Sequence, residues 1–150
     1  MISILEKAFN PWQAISDYQE RMQCAGQYGA CASFVGTMRD FNEGDTVKAM
    51  VLEHYPGMTE KYLEKIIADA NQQWVLLDVL VIHRVAELLP NEPIVLVAVW
   101  SAHRKDAFEA CRFIMEDLKS KAPFWKKERI VGSDQSIEKN RWVAKNTSGY

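Results

Sequence analysis

SAHRKDAFEACRFIMEDLKSKAPFWKKER, residues 101–129, joins an amphipathic helix to a basic strand-like run, and the way that helix must be buried decides the fold class. Ala107, Phe108, Cys111, Ile114, Met115 and Leu118 recur at three- and four-residue spacing, the mark of a helix lying on a core. Pro123 stops it. At roughly 100° per residue, Lys119 falls beside Phe108 and Met115 on the margin of the stripe, so partial burial is expected for it. Lys105 turns further towards water. Arg104 projects almost on the stripe in the first turn, where a positive side chain opposes the helix dipole unless an anion compensates it. The free N–H groups at that helix start, with His103 and Arg104, suit a phosphate.

Lysines on the margin of a stripe ordinarily lay their stems on the core and keep the ammonium wet. What sets Lys119 apart is its surroundings: Lys119, Lys121, Lys126, Lys127 and Arg129 stand against the single acid Glu128, a local charge of +4 in a chain whose net charge is -2. Such an island attracts anionic small molecules or acidic chain ends. A general nucleic-acid binder would be basic throughout.

With 150 residues, 48% of them hydrophobic, the chain suffices for one ordinary core, and a single domain over 1–150 is expected. Cys24, Cys31 and Cys111 form no CxxC pair and are odd in number, which fits a reducing compartment. His54, His83 and His103 lack zinc-ligand spacing, so no metal and no cofactor is expected. Ile2 to Leu5 is too short an apolar run for a signal peptide, and no stretch approaches membrane-spanning length. A cytoplasmic protein is expected.

Upstream, Pro11 opens a first helix to residue 23. Tyr28 to Arg39 reads as a buried strand, 40–45 as a polar loop and Val47 to Tyr55 as a second strand, together a hairpin with a long connection. After the structural turn at Pro56 and Gly57, Thr59 is expected to cap a helix from Glu60 to Trp74. Asp78 to Val85 and Ile94 to Trp100 flank the LLPNEP turn and are apolar enough to be covered by helices. Trp125 to Val131 and Arg141 to Ala144 read as short edge strands around GSDQSIEKN, with a loose tail from Lys145. This order allows antiparallel pairing, so the class is α+β.

Three blocks, FVGTMRDFNEGD at 34–45, LEHYPGMTEK at 52–61 and SAHRKDAFEACRFIMEDLKSKAPFWKKE at 101–128, lie in order with VIHRVAELLPNE at 81–92 in support. HYPGM combined with K-x-x-A-P-F-W-K is far more specific than a lone glycine motif. In these blocks the chain resembles the large, catalytic subunits of molybdopterin synthase. The resemblance implies an α/β-hammerhead fold with a mainly antiparallel sheet packed by helices and a small additional β subdomain. It implies conversion of cyclic pyranopterin monophosphate to molybdopterin by a sulfurtransferase. The sulfur would arrive as a thiocarboxylate on the C-terminal glycine of a small ubiquitin-like subunit, two of which flank a homodimer of large subunits in a heterotetramer. Such a donor accounts for the lack of an obviously activated cysteine here.

Carried over residue by residue, the family's essential lysines correspond to Lys119 and Lys126, and its phosphate and pterin ligands to Arg39, His103 and Arg104. Phe34 and Met115 correspond to pocket walls. Arg141, in RWVA, corresponds to an arginine that reaches a neighbouring active site across the dimer. Phe124 and Trp125 suit either contact with the carrier's tail or plain packing. Two other readings of the same residues stand beside this one. A docking module for a ubiquitin-like protein would need no chemistry from Lys119. A single-stranded nucleic-acid binder would stack bases on Phe124 and Trp125 beside Lys126, Lys127 and Arg129.

Overall fold

Period-two alternation along two apolar strands fixes the centre of the fold. In the computed structural model, which describes residues 1–131 and 138–143, Val79, Val81, Val95, Val97 and Val99 turn to one side of a sheet, and Leu80, Ile82, Leu96, Ala98 and Trp100 to the other. Both sides are covered. The first side packs against helices α2 (Met58–Gln73) and α3 (Arg104–Lys121) through Leu63, Ile66, Ala107, Ala110, Ile114 and Leu118. The second packs against α1 (Pro11–Gln19), whose Ala14, Ile15 and Tyr18 meet Trp100 and its neighbours. Burial on both faces is why these strands carry nearly unbroken apolar runs.

That sheet has the order β1-β5-β7-β2, with β1 (Ile2–Leu5), β5 (Asp78–Arg84), β7 (Pro93–Ser101) and β2 (Ala30–Thr37). β1 pairs parallel to β5, and the other pairs are antiparallel. A second, antiparallel sheet runs β3 (Phe41–Asn42), β4 (Asp45–His54), β8 (Phe124–Val131), β9 (Glu138–Trp142), and β6 (Ala86–Leu88) also joins β4. Met38, Val47, Met50, Leu52 and Leu88 are its buried cluster. The class is thus α+β, with a larger helix-covered sheet and a smaller β layer.

Several expectations change. The strand over 28–39 and the strand over 47–55 are not a hairpin: β2 pairs with β7, while β4 pairs with β8 from Thr46 opposite Val131 to His54 opposite Phe124. The tight hairpin is β3–β4 instead, turning at Glu43 and Gly44, both at positive φ. β8 is not an edge strand, since β4 and β9 flank it. Four-residue β1 went unread because its apolar run is too short to show a period. α1 ends at Gln19, short of residue 23, and is capped by the Asn10 side chain, which accepts from the Trp12 and Gln13 amides at 3.0 and 3.2 Å. Gly57, at φ 79°, takes the cap position of α2, and the Glu60 carboxylate accepts its N–H at 2.6 Å. Thr59 lies inside the first turn, fully buried, with its hydroxyl donating to the Tyr55 carbonyl at 3.0 Å. Phe108 leaves the apolar stripe and is 66% exposed. The expected GSDQSIEKN connection lies mostly outside the described residues, and the tail from Lys145 wholly so.

Candidate active site

The two sheets meet where α3 ends and β8 begins, and a cavity of about 330 Å³ lies there. The phase of α3 supplies one wall. With Ala110, Cys111, Ile114 and Leu118 committed to the core, Met115 and Lys119 on the flank are half-buried and line the cavity. Lys119 sits in the last helical turn, where the dipole favours a cation. Alternation along β8 supplies a second wall: Phe124, Lys126 and Glu128 face the cavity, while Trp125 is 48% exposed on the other side. From the end of β2 come Phe34, Gly36 and Arg39, and the Arg39 guanidinium lies 5.0 Å from the centroid of the Phe41 ring. Gly36 belongs there for space, because a Cβ would stand 2.8 Å from Val95 Cγ1.

Of the basic island only Lys119 and Lys126 reach this cavity. Lys121 pairs with Asp117 at 2.7 Å, Arg129 with Glu87 at 3.1 Å, and the Lys127 ammonium lies 5.5 Å from the Trp142 ring. Burial, then the positive charges of Lys119 and Arg39, hold the Lys126 ammonium below the usual lysine pKa, with Glu128 opposing. Lys126 is therefore more easily deprotonated than an ordinary lysine.

His103 and Arg104 stand at the opposite end of α3, exposed, about 22 Å from Lys119 at the helical rise. They do not line this cavity within one chain. Arg141 does not line it either: its guanidinium is held at 3.0 Å by Glu128, at 2.9 Å by Asp45 and at 3.5 Å by Glu43. It braces Glu128, which is 6% exposed and also accepts from the Asn42 amide at 2.8 Å.

Sequence reasoning missed Glu128, Asn42 and His83 as lining groups. His83, at the end of β5, is 5% exposed and stacks on Phe124 with centroids 3.8 Å apart. Its pKa is pushed down to about 4 by burial, against a bond to the Arg84 carbonyl, with Lys126 and His54 adding repulsion. A single histidine at a strand end carries no spacing signal. Its place in the VIHRVAELLPNE block was the one available clue.

No cysteine lines the cavity. Burial pushes the thiols of Cys31 and Cys111 up, the latter to about 11, the opposite of activation. Among the described residues no cluster of three or more His, Cys, Asp or Glu side chains could hold a metal, and no helix is long and apolar enough to cross a membrane. The arrangement offers cations, one of them with a lowered pKa, around a small half-apolar space. It can hold an anion and move a proton beside it.

The family model described as MoaE protein matches residues 8–121. The molybdopterin synthase catalytic subunit of Ralstonia nicotianae is 59% identical over 117 residues, covering 78% of this chain and 63% of that relative's length. The Pseudomonas aeruginosa protein of the same name is 49% identical over 142 residues, 95% of this chain and 89% of its own. The solved structure of a molybdopterin biosynthesis MoaE protein from Burkholderia ambifaria superposes with a TM-score of 0.78 at 45% identity, covering 99% of this chain and 92% of that one.

Proposed function

Because the chain belongs to the MoaE protein family, whose relatives here are molybdopterin synthase catalytic subunits, we propose that its cavity is the active site of a sulfurtransferase converting cyclic pyranopterin monophosphate to molybdopterin. The observation that carries this reading is the convergence of Lys119, Lys126 and Arg39, from a helix end, a strand and a strand exit, on one cavity. Both reactants are anions. A thiocarboxylate tail and a cyclic phosphate repel one another in water and need several fixed cations in a poorly solvated space before they can meet.

In the proposed division of work, Lys119 orients the incoming thiocarboxylate and stabilises charge as the acyl group changes hands. Lys126 faces the pterin carbon that receives sulfur, where its lowered pKa suits proton transfer at that step. Arg39 takes the phosphate through its fork of donors. Phe34 and Met115 are apolar walls. The sulfur comes from a small ubiquitin-like carrier with a C-terminal Gly-Gly, in keeping with the raised thiol pKa values of Cys31 and Cys111.

His103 and Arg104 cannot join the Lys119 of their own chain across about 22 Å of helix. In a homodimer of large subunits they complete the phosphate site of the second copy, and one small subunit per large subunit makes a heterotetramer. Arg141 serves indirectly, by holding Glu128 at the wall beside Lys126. The protein works in one domain, in the cytoplasm, without nucleic acid or membrane.

Purified chain, mixed with the cyclic precursor, is expected to form the dithiolene product only when a thiocarboxylated small subunit is present. Product without it, or none with it, overturns the proposal. The docking-module reading predicts the second of these results with small-subunit binding intact.

A further inference from the structure

His83 belongs to the cavity but to none of the roles assigned above. Its ring lies flat on Phe124, the planes 12° from parallel, and its Nδ1 is 2.8 Å from the Arg84 carbonyl oxygen. A carbonyl oxygen can only accept, so Nδ1 carries the proton and the neutral ring keeps its lone pair on Nε2. Nε2 meets no donor among the described residues, and it is not among the atoms sealed within the protein without a partner; the ring lines the cavity.

The groups around it are lopsided. Lys119 and Arg39 can only donate, as does Lys126 while it carries its charge. Glu128 already takes Asn42 and Arg141 on its two oxygens, which leaves the Asn42 Oδ1, the Thr37 hydroxyl and His83 Nε2 as the uncommitted side-chain acceptors on the lining, and of these only the imidazole is held in a fixed plane by a stack. A pterin brings N–H donors on its pyrimidine ring, and a donor buried without an acceptor is costly. Resting on the reading of this cavity as the pterin site, we propose that His83 determines specificity there: its Nε2 accepts a hydrogen bond from a pterin ring N–H and fixes the ring's orientation while Arg39 and the lysines hold the anions. The stack on Phe124 and the bond to Arg84 fix the plane of the imidazole in advance, so little side-chain ordering is needed on binding. Burial and the neighbouring Lys126 and His54 keep the ring neutral above about pH 4, so it remains an acceptor at physiological pH.

The test is steady-state conversion by His83→Phe, which keeps a flat ring on Phe124 and removes the acceptor. The expected result is a KM for the cyclic precursor raised about tenfold, with the loss falling on KM rather than kcat and small-subunit affinity unchanged. A KM within about twofold of wild type in a variant that melts cooperatively overturns the proposal. A second measurement uses wild-type protein and does not depend on the variant's folding. In protein with isotope-labelled histidine, saturating cyclic precursor without small subunit should shift the Nε2 resonance of His83 and leave its tautomer unchanged. An unmoved Nε2 signal overturns the role of His83. Wild-type protein in the same conversion assay separates the two levels: absence of product there refutes the function itself, whereas wild-type product with an unaltered KM in His83→Phe refutes only this residue's part.

Discussion

Replacing Glu128 by Gln removes one negative charge from the cavity wall while keeping the side chain's size. Glu128 is 6% exposed, and its oxygens accept from Asn42 Nδ2 at 2.8 Å and from Arg141 Nη2 at 3.0 Å. A glutamine has one oxygen and one NH2, so with the oxygen on Arg141 the Asn42 amide must turn to present Oδ1 to the new NH2, and both bonds lose the carboxylate's charge. A hydrogen bond to a charged group contributes roughly 1.5–3 kcal/mol. Arg141 is partly exposed and keeps Asp45 at 2.9 Å, which reduces its share of the loss. The net destabilisation comes to about 2 kcal/mol, or a melting temperature lower by about 6 °C for a chain of this size. Denaturant unfolding and thermal melting of wild type, Glu128→Gln, Arg141→Gln and the double variant measure it. Because the two residues share one bond, the double variant should lose about 1 kcal/mol less than the sum of the singles. Strict additivity, or a melting shift under about 1 °C for Glu128→Gln, would mean that Glu128 does not hold Asn42 and Arg141 together in the fold.

Other consequences follow from the same structure. Ile114→Ala, at a fully buried position between α3 and the larger sheet, should cost about 4 kcal/mol by urea unfolding; a cost under about 1 kcal/mol would mean the helix packs differently. Lys126 has a pKa lowered in the fold, so the unfolded chain binds its proton more readily and stability from this group rises with pH between the folded pKa and about 10.5. Lys126→Met should therefore raise the melting temperature at pH 7, lose that advantage as pH climbs through this window, and abolish conversion throughout. His83, at about 4 in the fold against 6.5, makes the fold lose about 3 kcal/mol as pH falls from above 6.5 to below 4. In His83→Phe that acid-dependent share should vanish from the stability profile.

The parts of the fold legible in the sequence are those set by local periodicity. α3 showed itself through Ala107, Cys111, Ile114 and Leu118, and the phase of that stripe also gave the half-burial of Lys119. The strands around Val81 and Val97 showed themselves because both faces are covered. Pairing was not legible. β2 and β4 are neighbours in sequence but join different sheets, since β2 completes the larger sheet beside β7 and β4 finds β8 some seventy residues on. Nothing local records that choice. The same limit governs the site. Lys119 and Lys126 came out of charge clustering and resemblance, whereas His83 and Glu128 join them only because two sheets meet, and Phe108 stays exposed because the buried face of α3 is taken by Ala107, Ala110, Cys111, Ile114 and Leu118.

In the proposed mechanism fixed cations bring two anionic reactants together, with Lys119 meeting the carrier's tail. Conversion of the cyclic precursor by Lys119→Ala, with a saturating thiocarboxylated small subunit, tests that role. The predicted result is a rate at least about a hundredfold below wild type, with cooperative melting and small-subunit affinity retained. Wild-type turnover in that variant would contradict it.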